Sequence, residues 1–195
     1  MTFPKKITKE EILQLPEFRF EGKVHVISNE ADIKDATTVL AREKILGFDT
    51  ETKPAFRKGQ YFPTALVQFA TQEEAFLFRI NHLGPHYRIY DLMEDVSITK
   101  IGVALRDDLV DLNKIRRFEP DGFIDLNEVV KDLEFENMGA RNLTGMILGK
   151  RINKAQQTSN WENEELTKAQ IHYAATDAWV CREIYQVLSK KGYLY

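Results

Sequence analysis

The chain has 195 residues, 43% of them hydrophobic and 29% charged, which is enough for one domain with a sizeable core and excludes a disordered polymer. No apolar run approaches the ~18 residues of a membrane helix, and the basic residues near the start lack the apolar stretch of a signal peptide. The net charge of −3 argues against a broad electrostatic grip on a polyanion, and the single cysteine, Cys181, excludes an internal disulfide and suits a reducing, cytoplasmic setting.

Along the chain, Thr8 to Glu11 has the form of a capping box opening a short helix that Pro16 closes. Residues 1–21 therefore read as a short N-terminal extension and 22–195 as the main domain. That domain opens with a strand at 24–27. Ser28 or Asn29 then caps a helix to about residue 42, with Ile33, Val39 and Leu40 facing inward. A strand at 45–51 leads into a loop rich in lysine, proline, glycine and aromatics. Strands at 65–69 and 75–78 follow, close enough to pair antiparallel. A helix at 85–93, a strand at 98–103, a helix at 105–114 and a short strand at 123–125 come next, then helical segments at 126–132 and 140–148. The last helix starts from a second capping box, Thr167 with Gln170, and stops at Gly192. Its apolar face includes Ile171, Ala174, Ala178, Cys181, Tyr185 and Leu188. Strands grouped early, then alternating with helices, imply an α/β fold with a mixed sheet covered by helices.

Three acidic motifs carry chemistry. In Phe48-Asp49-Thr50-Glu51-Thr52, residues two apart on a strand share a face, so Asp49 and Glu51 stand side by side at a strand end. Two carboxylates ~6 Å apart repel by roughly 3 kcal/mol at an effective dielectric near 20, and a divalent cation turns that repulsion into chelation. In the second motif, the strand through Ile101 and Gly102 delivers Asp107 and Asp108 near a helix start, where acids also complement the helix dipole. The third is Tyr173-Ala174-Ala175-Thr176-Asp177 on the last helix. Four residues advance ~400°, so Tyr173 and Asp177 lie ~40° apart, whereas His172 lies ~140° from Asp177. Each motif alone has a plain explanation, as a solvated strand end, a helix first turn or a packed tyrosine; together they form a dispersed set that folding can assemble.

With these residues in view, the chain resembles the DEDD superfamily of 3′-5′ exonucleases in its tyrosine-bearing branch, and is similar to the exonuclease domains of ribonuclease D and the Werner syndrome protein. Asp49 and Glu51 match the family's Asp-x-Glu motif, Asp108 its second motif, and Tyr173 and Asp177 its Tyr-x-x-x-Asp motif. Thr158-Ser159-Asn160-Trp161, with Leu166, Thr167 and Gln170, resembles the approach to the third. The likeness covers roughly 22–192. It implies a ribonuclease H-like fold, with a central mixed five-stranded sheet flanked by helices. It also implies phosphodiester hydrolysis at the 3′ end of DNA or RNA through two divalent cations, Mg²⁺ or Mn²⁺, with release of nucleoside monophosphates. In that reading Asp49 bridges both ions, Glu51 and Asp177 complete the water-activating site, Asp108 holds the second ion and Tyr173 orients the attacking water.

The loop 53–62 follows the first carboxylates, and its Phe56, Arg57 and Lys58 suit base stacking and phosphate contact. Arg141, Lys150, Arg151 and Lys154 could border the strand's path, although a charged helix face is the favoured reading. Two rival functions explain the residues less completely. A haloacid dehalogenase-type phosphatase leaves Glu51 and the Tyr173/Asp177 pair unexplained. A nuclease fold kept only to bind nucleic acid or a protein partner leaves intact carboxylates without a use.

Overall fold

The computed structural model describes residues 3–194. Helix α1 (Lys9–Gln14) begins as its capping box requires: the Thr8 hydroxyl accepts the Glu11 amide at 3.1 Å, and the Glu11 carboxylate accepts the Thr8 amide at 2.7 Å. Then come β1 (Lys23–Ile27), α2 (Glu30–Leu40), β2 (Ile45–Thr52), β3 (Thr64–Ala70) and β4 (Glu74–Arg79). A short α3 (Ile80–Leu83) and α4 (Tyr87–Glu94) lead to β5 (Thr99–Gly102), α5 (Arg106–Ile115) and β6 (Phe123–Asp125). The chain ends in α6 (Leu126–Val130), α7 (Ala140–Leu143), a π-helical turn at Thr144–Leu148 and α8 (Lys168–Lys190).

The strands form one mixed sheet in the order β1-β4-β3-β2-β5-β6. Strand β2 pairs antiparallel with β3, as does β3 with β4, while β1–β4, β2–β5 and β5–β6 are parallel. The family resemblance implied five strands and the sheet has six. The short strand read at 123–125 pairs with β5 through Lys100↔Phe123, Ile101↔Ile124 and Gly102↔Asp125. The segment expected to be helical at 140–148 is α-helical only to Leu143 and then widens into the π turn.

Strand alternation sorts the two faces of the sheet. Phe48, Val67, Phe69, Phe76 and Phe78 point to the layer of α2, α4 and α5, where Ile33, Leu40, Ile89, Tyr90 and Leu112 complete a core. The opposite face carries α8, with Ala174 packed on Leu66 and Leu77, and Ala175 and Ala178 on Ala70 and Ala75. Small residues bring α8 very close to the sheet. A Cβ at Gly47 would lie 1.9 Å from the Ala178 carbonyl oxygen, so only glycine fits beneath the helix there. Among the described residues no helix is long and apolar enough to cross a membrane.

Candidate active site

Strand β2 supplies Asp49 and Glu51 on the face that α8 covers, and α8 supplies Asp177. One oxygen of each carboxylate lies within 4.8 Å of the others. The close crossing at Gly47 and Ala178 makes this possible, because Asp177 directly precedes the contact on α8 and Asp49 lies two residues beyond it on β2. Glu51 and Asp177 are buried and Asp49 is half-buried.

Asp108 reaches the same end of the sheet from the other layer. Thr50 points away from the face of Asp49 and Glu51, and its hydroxyl donates to Asp108 Oδ1 at 2.5 Å. Asp108 therefore stands outside the three-carboxylate group, although its negative charge still acts on Asp49 and Glu51. The turn that delivers it is unusual. Ala104 has a left-handed backbone, φ 58°, and the Asp125 carboxylate accepts the amides of Ala104 at 3.0 Å and Leu105 at 2.9 Å. Asp125, at the end of β6, thus fixes the start of α5; nothing local in the sequence announces that pairing.

Lys154 is the residue whose setting differs most from the sequence reading. The sequence favours a charged helix face for it over a place on the strand's path, but residues 150–154 are not helical, and Lys154 Nζ donates to Asp177 Oδ2 at 2.5 Å and to the Tyr173 hydroxyl at 3.4 Å. Its loop is pinned from three sides. The buried Arg79 donates to the Asn163 and Glu164 carbonyls, Gln170 donates to the Asn160 carbonyl at 3.1 Å, and the fully buried Trp161 packs against Tyr173. These contacts give the Thr158–Trp161 signature a physical role: it holds the loop that carries Lys154 against α8.

The electrostatics follow from burial and crowding. Burial, then the Asp177 charge, pushes the Asp49 carboxyl up to about 8. Burial, then Asp49, raises Glu51 well above the usual carboxylate range. Asp177 is also raised by burial, with Lys154 opposing, and burial takes Asp108 to about 6 against the Thr50 hydrogen bond. Burial acts against the Lys154 charge, but Asp177 and Asp49 outweigh it and keep the ammonium protonated. Burial, then the Asp177 charge, drives the Tyr173 phenol far above its ordinary range, so it remains a neutral hydroxyl. Among the buried polar atoms without a hydrogen-bond partner are Asp177 Oδ1 and both side-chain amide atoms of Gln68, which sits opposite Asp49 in the β2–β3 register. An orphaned carboxylate oxygen inside a cluster of hard oxygen donors fits a divalent cation.

Arg141 lines the cleft above the carboxylates, whereas several other nominated residues lie elsewhere. Phe56 is 80% exposed, Arg57 and Lys58 are exposed beside it, and none of the three lines the cleft above the carboxylates. Arg151 is committed to the N-terminal segment, donating to the Leu15 carbonyl at 3.0 Å and to Glu17 at 3.2 Å. His172 is exposed one position before Tyr173.

The sequence profile of the 3′-5′ exonuclease family matches residues 24–192. The chain belongs to the 3′-5′ exonuclease family. Among relatives of this family, the bifunctional 3′-5′ exonuclease/ATP-dependent helicase WRN of Mus musculus is 31% identical over 189 residues, which is 91% of this chain and 13% of that protein. The chain spans between 13% and 42% of the length of four such curated relatives. The ribonuclease H-like fold is shared with solved exonucleases. The Nibbler EXO domain of Aedes aegypti superposes with a TM-score of 0.80 at 23% identity, covering 89% of this chain and 92% of that one. Trypanosoma brucei RNase D, solved in complex with RNA U12, gives a TM-score of 0.78 at 20% identity, covering 87% and 63%.

Proposed function

We propose that this chain hydrolyses phosphodiester bonds at the 3′ end of a nucleic-acid strand, releasing nucleoside monophosphates, with two divalent cations, Mg²⁺ or Mn²⁺. The observation that carries this reading is the convergence of Asp49, Glu51 and Asp177 within 4.8 Å, in a family of 3′-5′ exonucleases. Asp49, Glu51 and Asp177 would hold one cation, and Asp49 with Asp108 the second. Bound there, such ions supply Lewis-acid stabilisation of phosphoryl oxygens and lower the pKa of water.

The protein's own groups have separate tasks. Tyr173, whose phenol keeps its proton, orients the attacking water by hydrogen bonding rather than by taking a proton, which corresponds to the tyrosine-bearing branch. Lys154 keeps a positive charge beside Asp177 and limits the repulsion among the acids. Thr50 fixes the Asp108 carboxylate by a hydrogen bond, from where Asp108 would help hold the second cation. In this reading, Phe56, Arg57 and Lys58 meet bases and phosphates away from the cleft floor. The substrate is a nucleic-acid strand with a 3′ end, DNA or RNA; the neighbour Trypanosoma brucei RNase D was solved with RNA U12.

The test is digestion of 5′-labelled single-stranded DNA, single-stranded RNA and 3′-overhanging duplex, with Mg²⁺, Mn²⁺ or EDTA. A descending ladder that needs the cation and vanishes in Asp49→Asn is expected. Turnover retained by Asp49→Asn, or in EDTA, would rule the assignment out. The Lys154–Asp177 pair favours one other reading, a nucleic-acid-binding module in which lysine neutralises the cluster permanently. Strand binding without cleavage and without Mn²⁺ uptake would select it.

A further inference from the structure

We propose that the N-terminal segment forms part of the substrate cleft, with Lys9 and Arg141 holding backbone phosphates of the strand upstream of the scissile bond. This rests on the exonuclease reading. It concerns a segment outside residues 24–192, the part of the chain that the family profile matches.

The segment is bound to the domain rather than trailing from it. Ile12 is 1% exposed, and a Cβ on Gly145, in the π turn, would come within 3.0 Å of Ile7 and 3.5 Å of Ile12. The Glu136 amide donates to the Lys5 carbonyl at 2.9 Å. Arg151 exchanges backbone hydrogen bonds with the stretch from Pro16 to Phe18, at 2.8 and 3.0 Å, while its guanidinium takes the Leu15 carbonyl. Because of these ties α1 has a fixed place, and Lys9 with it.

That place is the rim of a cleft of about 560 Å³ that also contains Asp49, Glu51, Tyr173 and Asp177. Arg141, at the start of α7, lines the same cleft, as do Asn137 and Asn142. Lys5, Lys6, Lys114 and Lys131 each have a carboxylate within 4.0 Å; among the described residues, Lys9 and Arg141 have none. Two uncompensated cations beside an acidic floor suit a ligand that is anionic along its length and reactive at its end. A nucleic-acid strand is such a ligand. The net charge of −3 gives the chain no general attraction for a polyanion, so its grip must come from local cations of this kind.

The experiment measures binding of a short fluorescein-labelled single-stranded oligonucleotide by anisotropy over a salt series, with digestion followed in parallel. Lys9→Gln and Leu13→Glu change net charge equally and lie on the same helix, but Leu13 is not part of the cleft. Lys9→Gln and Arg141→Gln are each expected to weaken binding roughly three- to tenfold and to reduce the salt slope by about 0.7. Leu13→Glu is expected to alter neither. Equal responses to Lys9→Gln and Leu13→Glu, or none to Lys9→Gln, would overturn the proposal. Normal wild-type binding without digestion, still weakened by Lys9→Gln, would sustain the cleft contact and defeat the exonuclease reading instead.

Discussion

Gly47 of β2 and Ala178 of α8 are in backbone contact, so close that a Cβ on residue 47 would fall 1.9 Å from the Ala178 carbonyl oxygen. This contact sets the height of Asp177 above Asp49. Gly47→Val is therefore expected to destabilise the fold by about 3 kcal/mol and to weaken Mn²⁺ binding as the helix is lifted. Denaturant midpoints and calorimetric titration measure the two effects. A variant of unchanged stability would show that the helix accommodates a side chain at no cost.

Lys154→Met removes one partner of a buried ion pair and leaves Asp177 uncompensated. A loss of about 3 kcal/mol in EDTA is expected. Saturating Mn²⁺ should restore more stability to this variant than it adds to the wild type. Equal increments would mean that Lys154 does not share the charge of the cluster.

Stability without a cation should fall as pH rises. Asp108 is held up to about 6 and Asp49 to about 8, whereas unfolded aspartates titrate near 4. Between those values the folded chain binds more protons than the unfolded one, so raising the pH favours unfolding. The penalty is absent below about pH 4 and complete above about pH 8, and amounts to a few kcal/mol. Lys100, which burial lowers to about 8, acts in the opposite sense only above that pH. Urea midpoints in EDTA at pH 5.5 and 8 should differ accordingly, and Asp49→Asn should reduce the difference.

Tyr173→Phe keeps the ring against Trp161 and removes only the hydroxyl beside Lys154. Turnover should fall about a hundredfold with little change in melting temperature. His172→Ala, on the exposed side of α8, should leave turnover near the wild-type rate. A reversed ranking would assign the water-orienting role to the histidine.

At the β5–α5 turn, Ala104→Gly is expected to stabilise the protein by about 1 kcal/mol, because glycine tolerates the left-handed backbone there. Asp125→Ala should cost about 2 kcal/mol by releasing the Ala104 and Leu105 amides. If Asp125 only holds a strained turn, the loss should be smaller in the Ala104→Gly background; full additivity would refute the coupling.

What the sequence made legible was local or periodic. The two capping boxes place the starts of α1 and α8, alternation puts Asp49 and Glu51 on one face, and helical spacing sets Tyr173 beside Asp177. The same alternation, applied to Thr50, explains why Asp108 comes from the opposite layer, although no pattern in the sequence reveals the hydrogen bond between them. Lys154 was illegible because its position depends on Arg79, Gln170 and Trp161, which hold an irregular loop by tertiary contacts with no periodic signature. Asp125 escaped notice for a similar reason, since it acts on amides 20 and 21 residues earlier.

Arg151 joins Leu15 across 136 positions, and Asp177 joins Asp49 only once the final helix has docked. In synthesis from the N-terminus, the segment before β1 has its seat only after Arg151 has emerged, and the acidic centre only after α8 has. A nascent or C-terminally truncated product therefore has no working blade. Within these residues, the acidic centre exists only where α8 is packed on β2.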